Sequence, residues 1–182
     1  MNIRFERSAD SRIKLLDYFY WGNQESMDLQ FRVRGTTDAY DVTWHRDGKK
    51  PKYTCTCPDF VRRQDHCKHI YFCFCRVLKF PPDVLAGLSD PELLQGITTF
   101  VAKRQALLQK TRTTDTSRKP LEHDAECPIC FEGMSMETSV CCVNSCHNYL
   151  HKSCMRTWIE TFGHGHTCPF CRAPWDLTQF ET

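Results

Sequence analysis

The sequence predicts two small α+β modules, each held by cross-links rather than by one large core and joined by a helix and a linker. Three observations lead there. The 182 residues hold 13 cysteines, and these fall into two islands, Cys55 to Cys75 and Cys127 to Cys171, with none between. Short alternating segments precede the first island, whereas an apolar stripe at helical intervals lies between the islands. Charge divides in the same way: residues 44–80 carry nine Lys/Arg against three Asp/Glu, and residues 121–182 carry three against eight. A chain of this length cut in two gives pieces that bury only roughly 60% of their unfolded surface, so each needs a staple.

The start, MNIRFERSADSRIKLLDYFYW, has no apolar stretch behind a basic one and no small-residue cleavage site, so no secretory signal is expected. No run of about 18 apolar residues is present to cross a membrane. An intracellular location, nuclear or cytoplasmic, follows as an expectation. In a reducing compartment thiols serve metals rather than disulfides, and an odd cysteine count agrees.

Taken in order, Ile13, Leu15, Leu16, Tyr18, Phe19 and Tyr20 follow Ser8 and Ser11 and read as a short helix with a broad apolar face. Met27 to Val33 and Ala39 to Trp44 alternate as half-buried strands. Asp47-Gly48 reads as a hairpin turn into a third strand at Lys52 to Cys55. After His69, the bulky run IYFCFCRVLKF predicts a helix from about Cys67 to Leu78, stopped by Pro81-Pro82 and packed on the strands. Ser89-Asp90-Pro91-Glu92 then has capping-box spacing, and Leu93, Leu94, Ile97, Phe100, Val101, Leu107 and Leu108 recur at helical intervals. The following KTRTTDTSRKPLEHD reads as a solvated linker. The expected division is 1–80, with a core at 38–80, then 81–123 for helix and linker, then 124–176.

The first island supplies Cys55-x-Cys57, nine residues, then Cys67-x-His69. Two close pairs of soft ligands suit tetrahedral zinc, since each pair closes a small chelate and the loop brings the pairs together. Arg62, Arg63 and Lys68 would favour the thiolate forms. His66 competes with His69, but the spacing favours His69. Cys73 and Cys75 sit two apart on a helix, point to different faces and read as core thiols, while His45 reads as a strand or turn residue. The pattern resembles the SWIM zinc finger, a strand-strand-helix module, over roughly residues 38–80. That resemblance implies protein or DNA as partner. The basic balance with Tyr53, Phe60 and Tyr71 suits nucleic acid, but a substrate or scaffold protein is the preferred expectation.

The second island reads Cys127-Pro-Ile-Cys130, Cys142-x3-Cys146, His151-x2-Cys154 and Cys168-Pro-Phe-Cys171. Eight ligands in four pairs suffice for two closed sites, giving three zinc ions for the chain. Cys142 is preferred over its neighbour Cys141, and Cys146 over His147; His164 and His166, beside Gly163 and Gly165, read as loop residues. The array resembles the RING finger over about residues 124–176, and the whole chain resembles small SWIM and RING ubiquitin ligases. That likeness implies a cross-brace: Cys127, Cys130, His151 and Cys154 on one ion, Cys142, Cys146, Cys168 and Cys171 on the other. It also implies docking of a ubiquitin-charged conjugating enzyme on Ile129, Trp158 and Pro169, with Arg172 orienting the thioester and no residue of this chain reacting covalently. The order of four cysteines, histidine and three cysteines is shared with PHD fingers. The rival expectation is therefore a non-enzymatic chromatin, DNA or peptide adaptor. Position 166, where a PHD finger carries Trp, holds His; Trp158 lies four residues after Cys154, as in RING ligases.

Overall fold

The computed structural model describes residues 3–10, 12–22, 27–45, 53–109, 120–162 and 166–180. It divides into two compact units, Met1–Thr98 and Thr99–Thr182. The hairpin turn expected at Asp47-Gly48, most of the polar linker, and Gly163, His164 and Gly165 lie outside the described residues, as do the side chains of Leu107 and Leu108. Among the described residues, no helix is long and apolar enough to cross a membrane.

The first unit is built on a four-stranded antiparallel sheet in the order β1 (Lys14–Gly22), β2 (Met27–Arg34), β3 (Ala39–His45) and β4 (Tyr53–Cys55). The helix expected over Ile13 to Tyr20 is instead the strand β1; a short helix, α1 (Ile3–Ser8), precedes it. The physical reason is that a run of Leu, Tyr, Phe and Trp satisfies either period, and the neighbouring strand decides it. A bulge between Leu15 and Asp17 gives the run its helical look, because Leu15 and Leu16 are both buried despite being adjacent. In β2 and β3 alternation holds: Leu29, Phe31, Val33, Val42 and Trp44 all face the core.

Two short helices follow. α2 (Pro58–Arg63) starts at Cys57 and ends where Gln64 turns left-handed at φ 53°. α3 (Lys68–Tyr71) starts at Cys67 and widens over Phe72–Val77, where Leu78 N–H reaches back five residues to Cys73 C=O at 3.0 Å. Lys79, at φ 66°, ends it. The widened turns leave Phe72, Cys73 and Phe74 all buried, and Phe74 meets Phe31 edge to face at 6.3 Å between ring centroids. The helix therefore packs on the sheet as its composition requires.

α4 (Asp90–Gln109) begins with the carboxylate of Glu92 accepting from Ser89 N–H (2.9 Å) and Ser89 Oγ–H (2.6 Å). Leu93, Ile97 and Phe100 are its buried stripe. In the first unit Gly96 allows the ring of Phe80 to lie on the helix, for a Cβ there would stand 2.5 Å from Phe80 Cζ. The second unit, which α4 enters at Thr99, contains a two-stranded ladder, β5 (Ser139–Cys141) and β6 (Tyr149–His151), and α5 (Lys152–Phe162). Ile129, Val140, Leu150, Met155, Trp158, Phe170 and Trp175 form its core among the cysteines. A final helical turn, Leu177–Phe180, brings Phe180 against that core.

Candidate metal centres

Each ligand of the first centre is placed by a helix or strand end. Cys55 closes β4, Cys57 and Cys67 are the residues before α2 and α3, and His69 is the second residue of α3. Pro58 at the first helical position and Asp59 beside it are a helix-start signal inside the ligand loop that the sequence reading passed over. Cys57 Sγ accepts from Phe60 N–H at 3.4 Å, a bond that favours a thiolate. His69 Nδ1 stands 3.9 Å from both Cys55 Sγ and Cys67 Sγ, and all four residues are buried.

The second unit holds two further tetrads. Cys127, Cys130, His151 and Cys154 converge, as do Cys142, Cys146, Cys168 and Cys171, with the ligand atoms of each set within 4.8 Å of one another. His151 Nδ1 lies 3.2 Å from Cys130 Sγ and 4.0 Å from Cys154 Sγ. Its Nε2 lies 3.1 Å from Gly133 C=O, so with Nδ1 turned to the thiols the other nitrogen carries the proton and donates it. In the last tetrad Cys142 and Cys171 are 3.7 Å apart and Cys146 and Cys168 3.6 Å.

These spacings decide what the residues can hold. A disulfide needs about 2.05 Å, and all 13 cysteines are unbridged. Sulfurs at tetrahedral positions about 2.3 Å from zinc stand about 3.8 Å apart, which the sulfur pairs of the last tetrad match. Without a cation such crowded thiols cannot all ionise. Hydrogen bonds from Cys130 and Cys154 hold Cys127 far below the usual thiol range, and the same contacts with Cys127 and Cys154 push Cys130 far above it. Cys57 and Cys55 split likewise through their bonds to each other and to Cys67. A bound divalent cation removes that conflict. Three such clusters make these zinc-binding modules.

The two Cys-Pro-x-Cys loops have the same backbone. Phe131 N–H bonds to Cys127 C=O (2.7 Å) and Cys127 N–H to Glu132 C=O (2.8 Å); Arg172 N–H bonds to Cys168 C=O (3.0 Å) and Cys168 N–H to Ala173 C=O (2.8 Å). The residue after each second cysteine is left-handed, Phe131 at φ 60° and Arg172 at φ 62°. This internal likeness was signalled by the repeated tetrapeptide.

Other candidates fall outside the tetrads. His66 lies against the rings of Tyr53 and Tyr71, and burial lowers its pKa; His45 Nδ1 lies 3.1 Å from Asp28 Oδ1. Cys73 is fully buried and Cys75 half-buried, and burial raises both thiols, Cys75 to about 11. Cys141 sits on β5, where its N–H bonds to Gln179 Oε1; His147 turns left-handed at φ 52°. Of the expected docking residues, Ile129 and Trp158 are buried in the core, Pro169 is half-buried and Arg172 is exposed. Trp158 Nε1–H donates to Thr167 C=O at 3.0 Å, and the Arg172 guanidinium lies 5.1 Å from the Trp158 ring centroid.

Residues 125–172 match the family model for the Ring finger domain, so the carboxy-terminal unit carries a RING finger. The chain is 38% identical over 63 residues to mitogen-activated protein kinase kinase kinase 1 of Mus musculus and of Homo sapiens, covering 32% of this chain and 4% of each relative. It is 28% identical over 139 residues to E3 ubiquitin-protein ligase Zswim2 of Mus musculus, covering 66% of this chain and 22% of that protein. The chain thus spans a small part of these relatives. No solved structure matches it.

Proposed function

We propose, from the RING finger that residues 125–172 form, that this chain is a RING-type ubiquitin ligase. It docks a conjugating enzyme carrying ubiquitin as a thioester and promotes transfer to a substrate lysine, while the amino-terminal finger recruits the substrate or a scaffold. Similarity to Zswim2, a protein named as a ubiquitin ligase, supports the reading.

Twelve residues would hold three zinc ions: Cys55, Cys57, Cys67 and His69; Cys127, Cys130, His151 and Cys154; Cys142, Cys146, Cys168 and Cys171. Bound zinc supplies rigidity here, since four protein ligands per ion leave no position for an activated water. Thiolate ligands of this number require a reducing compartment, which supports an intracellular location.

The chemistry left to the chain is positioning. A thioester already carries the activation for acyl transfer, so holding it in one near-attack arrangement raises the rate without a covalent step on the ligase. Half-buried Pro128 and Pro169, one in each Cys-Pro-x-Cys loop, offer the apolar contact, with buried Ile129 and Trp158 setting the shape of the surface. Arg172 follows the last ligand; it is left-handed at φ 62° and exposed, with its guanidinium over the Trp158 ring. A guanidinium there can donate to carbonyls of enzyme and ubiquitin together. That placement of Arg172 is the observation carrying the proposal.

The test is autoubiquitination with a panel of conjugating enzymes, alongside native mass spectrometry for zinc. Activity with at least one enzyme, lost in Arg172→Ala, is the expected result. A zinc-loaded chain inactive with all of them would leave the adaptor reading instead.

A further inference from the structure

The amino-terminal unit has a cavity of about 370 Å³ that the ligase reading does not use. α1 contributes Arg4 and Arg7 to it, α2 contributes Asp59 and Arg63, and Lys68 and Tyr40 complete the polar wall. The turn residues Thr36 and Thr37 stand at its rim, and His69 of the first tetrad also lines it.

Three of its cations, Arg4, Arg63 and Lys68, are held by neighbouring side chains. Arg4 is only 17% exposed; its Nε lies 3.3 Å from Asp59 and its Nη1 2.9 Å from Asp65. Arg63 Nε is 3.2 Å from the other oxygen of Asp59, and Lys68 Nζ donates to Thr36 Oγ1 at 3.2 Å. Of the four cationic side chains, Arg4 and Arg63 share the carboxylates of Asp59 and Asp65, while Lys68 and Arg7 add two further positive charges to the wall. Thr37 Oγ1 and Tyr40 Oη are 2.8 Å apart. One hydroxyl proton satisfies that bond, so the other is available to a ligand. Behind the wall, His69 Nε2 is buried and has no hydrogen-bond partner among the described residues.

We infer that this cavity binds a phosphorylated serine or threonine side chain of a partner protein. The inference rests on the reading of the amino-terminal unit as a recruiting module. A phosphomonoester brings close to two negative charges and three acceptor oxygens, which match guanidinium, ammonium and hydroxyl donors lining one cavity. A carboxylate brings half the charge and fewer acceptors. A nucleic-acid strand needs cations spread along a track, whereas these line one cavity, and Asp10, Asp38 and Asp41 on neighbouring segments would oppose a continuous polyanion.

The experiment is fluorescence anisotropy on the full, zinc-loaded chain with no conjugating enzyme present. The probes are a labelled degenerate peptide pool with one fixed phosphoserine, the same pool with serine, and a labelled single-stranded DNA oligonucleotide. Saturable binding of the phosphoserine pool alone is expected, displaced by inorganic phosphate only at much higher concentration. It should weaken about tenfold in Arg7→Ala and in Lys68→Ala, the loss of one charge-assisted hydrogen bond. Zinc content and thermal unfolding establish that each variant is folded, and Arg7, exposed on α1 and remote in sequence from the ligands, keeps the test decisive if Lys68→Ala disturbs the tetrad. No binding, equal binding of the serine pool, preference for DNA, or phosphopeptide binding unchanged in a folded Arg7→Ala chain would overturn the inference. Because ubiquitin transfer is not measured, a failure here is separate from a failure of the ligase reading.

Discussion

Replacing Arg172 by alanine should separate folding from transfer. The side chain is exposed, and its visible contribution to the fold is the stack 5.1 Å from the Trp158 centroid. Such exposed contacts are worth about 0.5–1 kcal/mol. The left-handed backbone cost at φ 62° is paid equally by arginine and alanine, so it cancels. Thermal unfolding should therefore fall by only a few degrees. Transfer is different, because a hydrogen bond to a charged donor is worth about 1.5–3 kcal/mol, and one made only in the reacting arrangement changes rate by roughly ten- to a hundredfold or somewhat more. The assay is single-turnover discharge of a pre-charged conjugating enzyme to free lysine. Affinity for the uncharged enzyme is measured in parallel and should barely change. Arg172→Lys should be nearly as slow, as an ammonium keeps the charge but lacks the planar fork. Unchanged discharge by a folded, zinc-loaded Arg172→Ala chain would refute the role.

Zinc counting by native mass spectrometry should give three ions for the parent chain and for Cys73→Ala, but two for Cys67→Ser, because Cys73 lies outside the tetrads. Gly35→Ala should speed zinc loss from the amino-terminal centre to a chelator and leave the other two ions unaffected: its Cβ would stand 2.8 Å from both His69 Nε2 and a ring carbon of Tyr40. Phe100→Ala should destabilise the carboxy-terminal unit by about 3 kcal/mol, the low end for a buried phenylalanine, read as a lower denaturant midpoint. Phe100 is 6% exposed and faces Phe131 at 6.4 Å. An unchanged midpoint would mean that α4 adds nothing to that unit.

Metal-ligand spacing was the most legible part of the sequence, because chelation is a local constraint: residues two to four apart must reach one ion, whatever the surrounding fold. The three tetrads bring together the sets expected, with Cys142 rather than Cys141 and Cys146 rather than His147. Less legible was anything decided by a distant neighbour. The run from Ile13 to Tyr20 carries both periods, and only pairing with β2 makes it a strand. Burial of Ile129 and Trp158 was similarly hidden, since an apolar residue beside a ligand can serve a partner or the core equally well. Gly35 gave no signal of its own. Its role comes from His69 and Tyr40 closing over it, contacts made across 34 and five residues of chain.

The paired Cys-Pro-x-Cys loops carry the argument about function one step further. Their backbone hydrogen bonds and their left-handed residues coincide, so the fold treats the two loops alike. What differs is the side chain at the left-handed position. Phe131 is turned toward Phe100 of α4, and so the first loop is tied to its own unit. Phe170, inside the second loop, is tied down as well, with the Arg104 guanidinium 5.5 Å from its ring centroid. Arg172 points outward from that same loop. Neither loop needs an exposed arginine for its geometry, because phenylalanine supports the same turn at 131. The turn itself thus does not require arginine at 172, and on the ligase reading that side chain serves a partner, on a loop that α4 and zinc together would hold. On the ligase reading, Arg172 is therefore the position where transfer should fail while the fold survives.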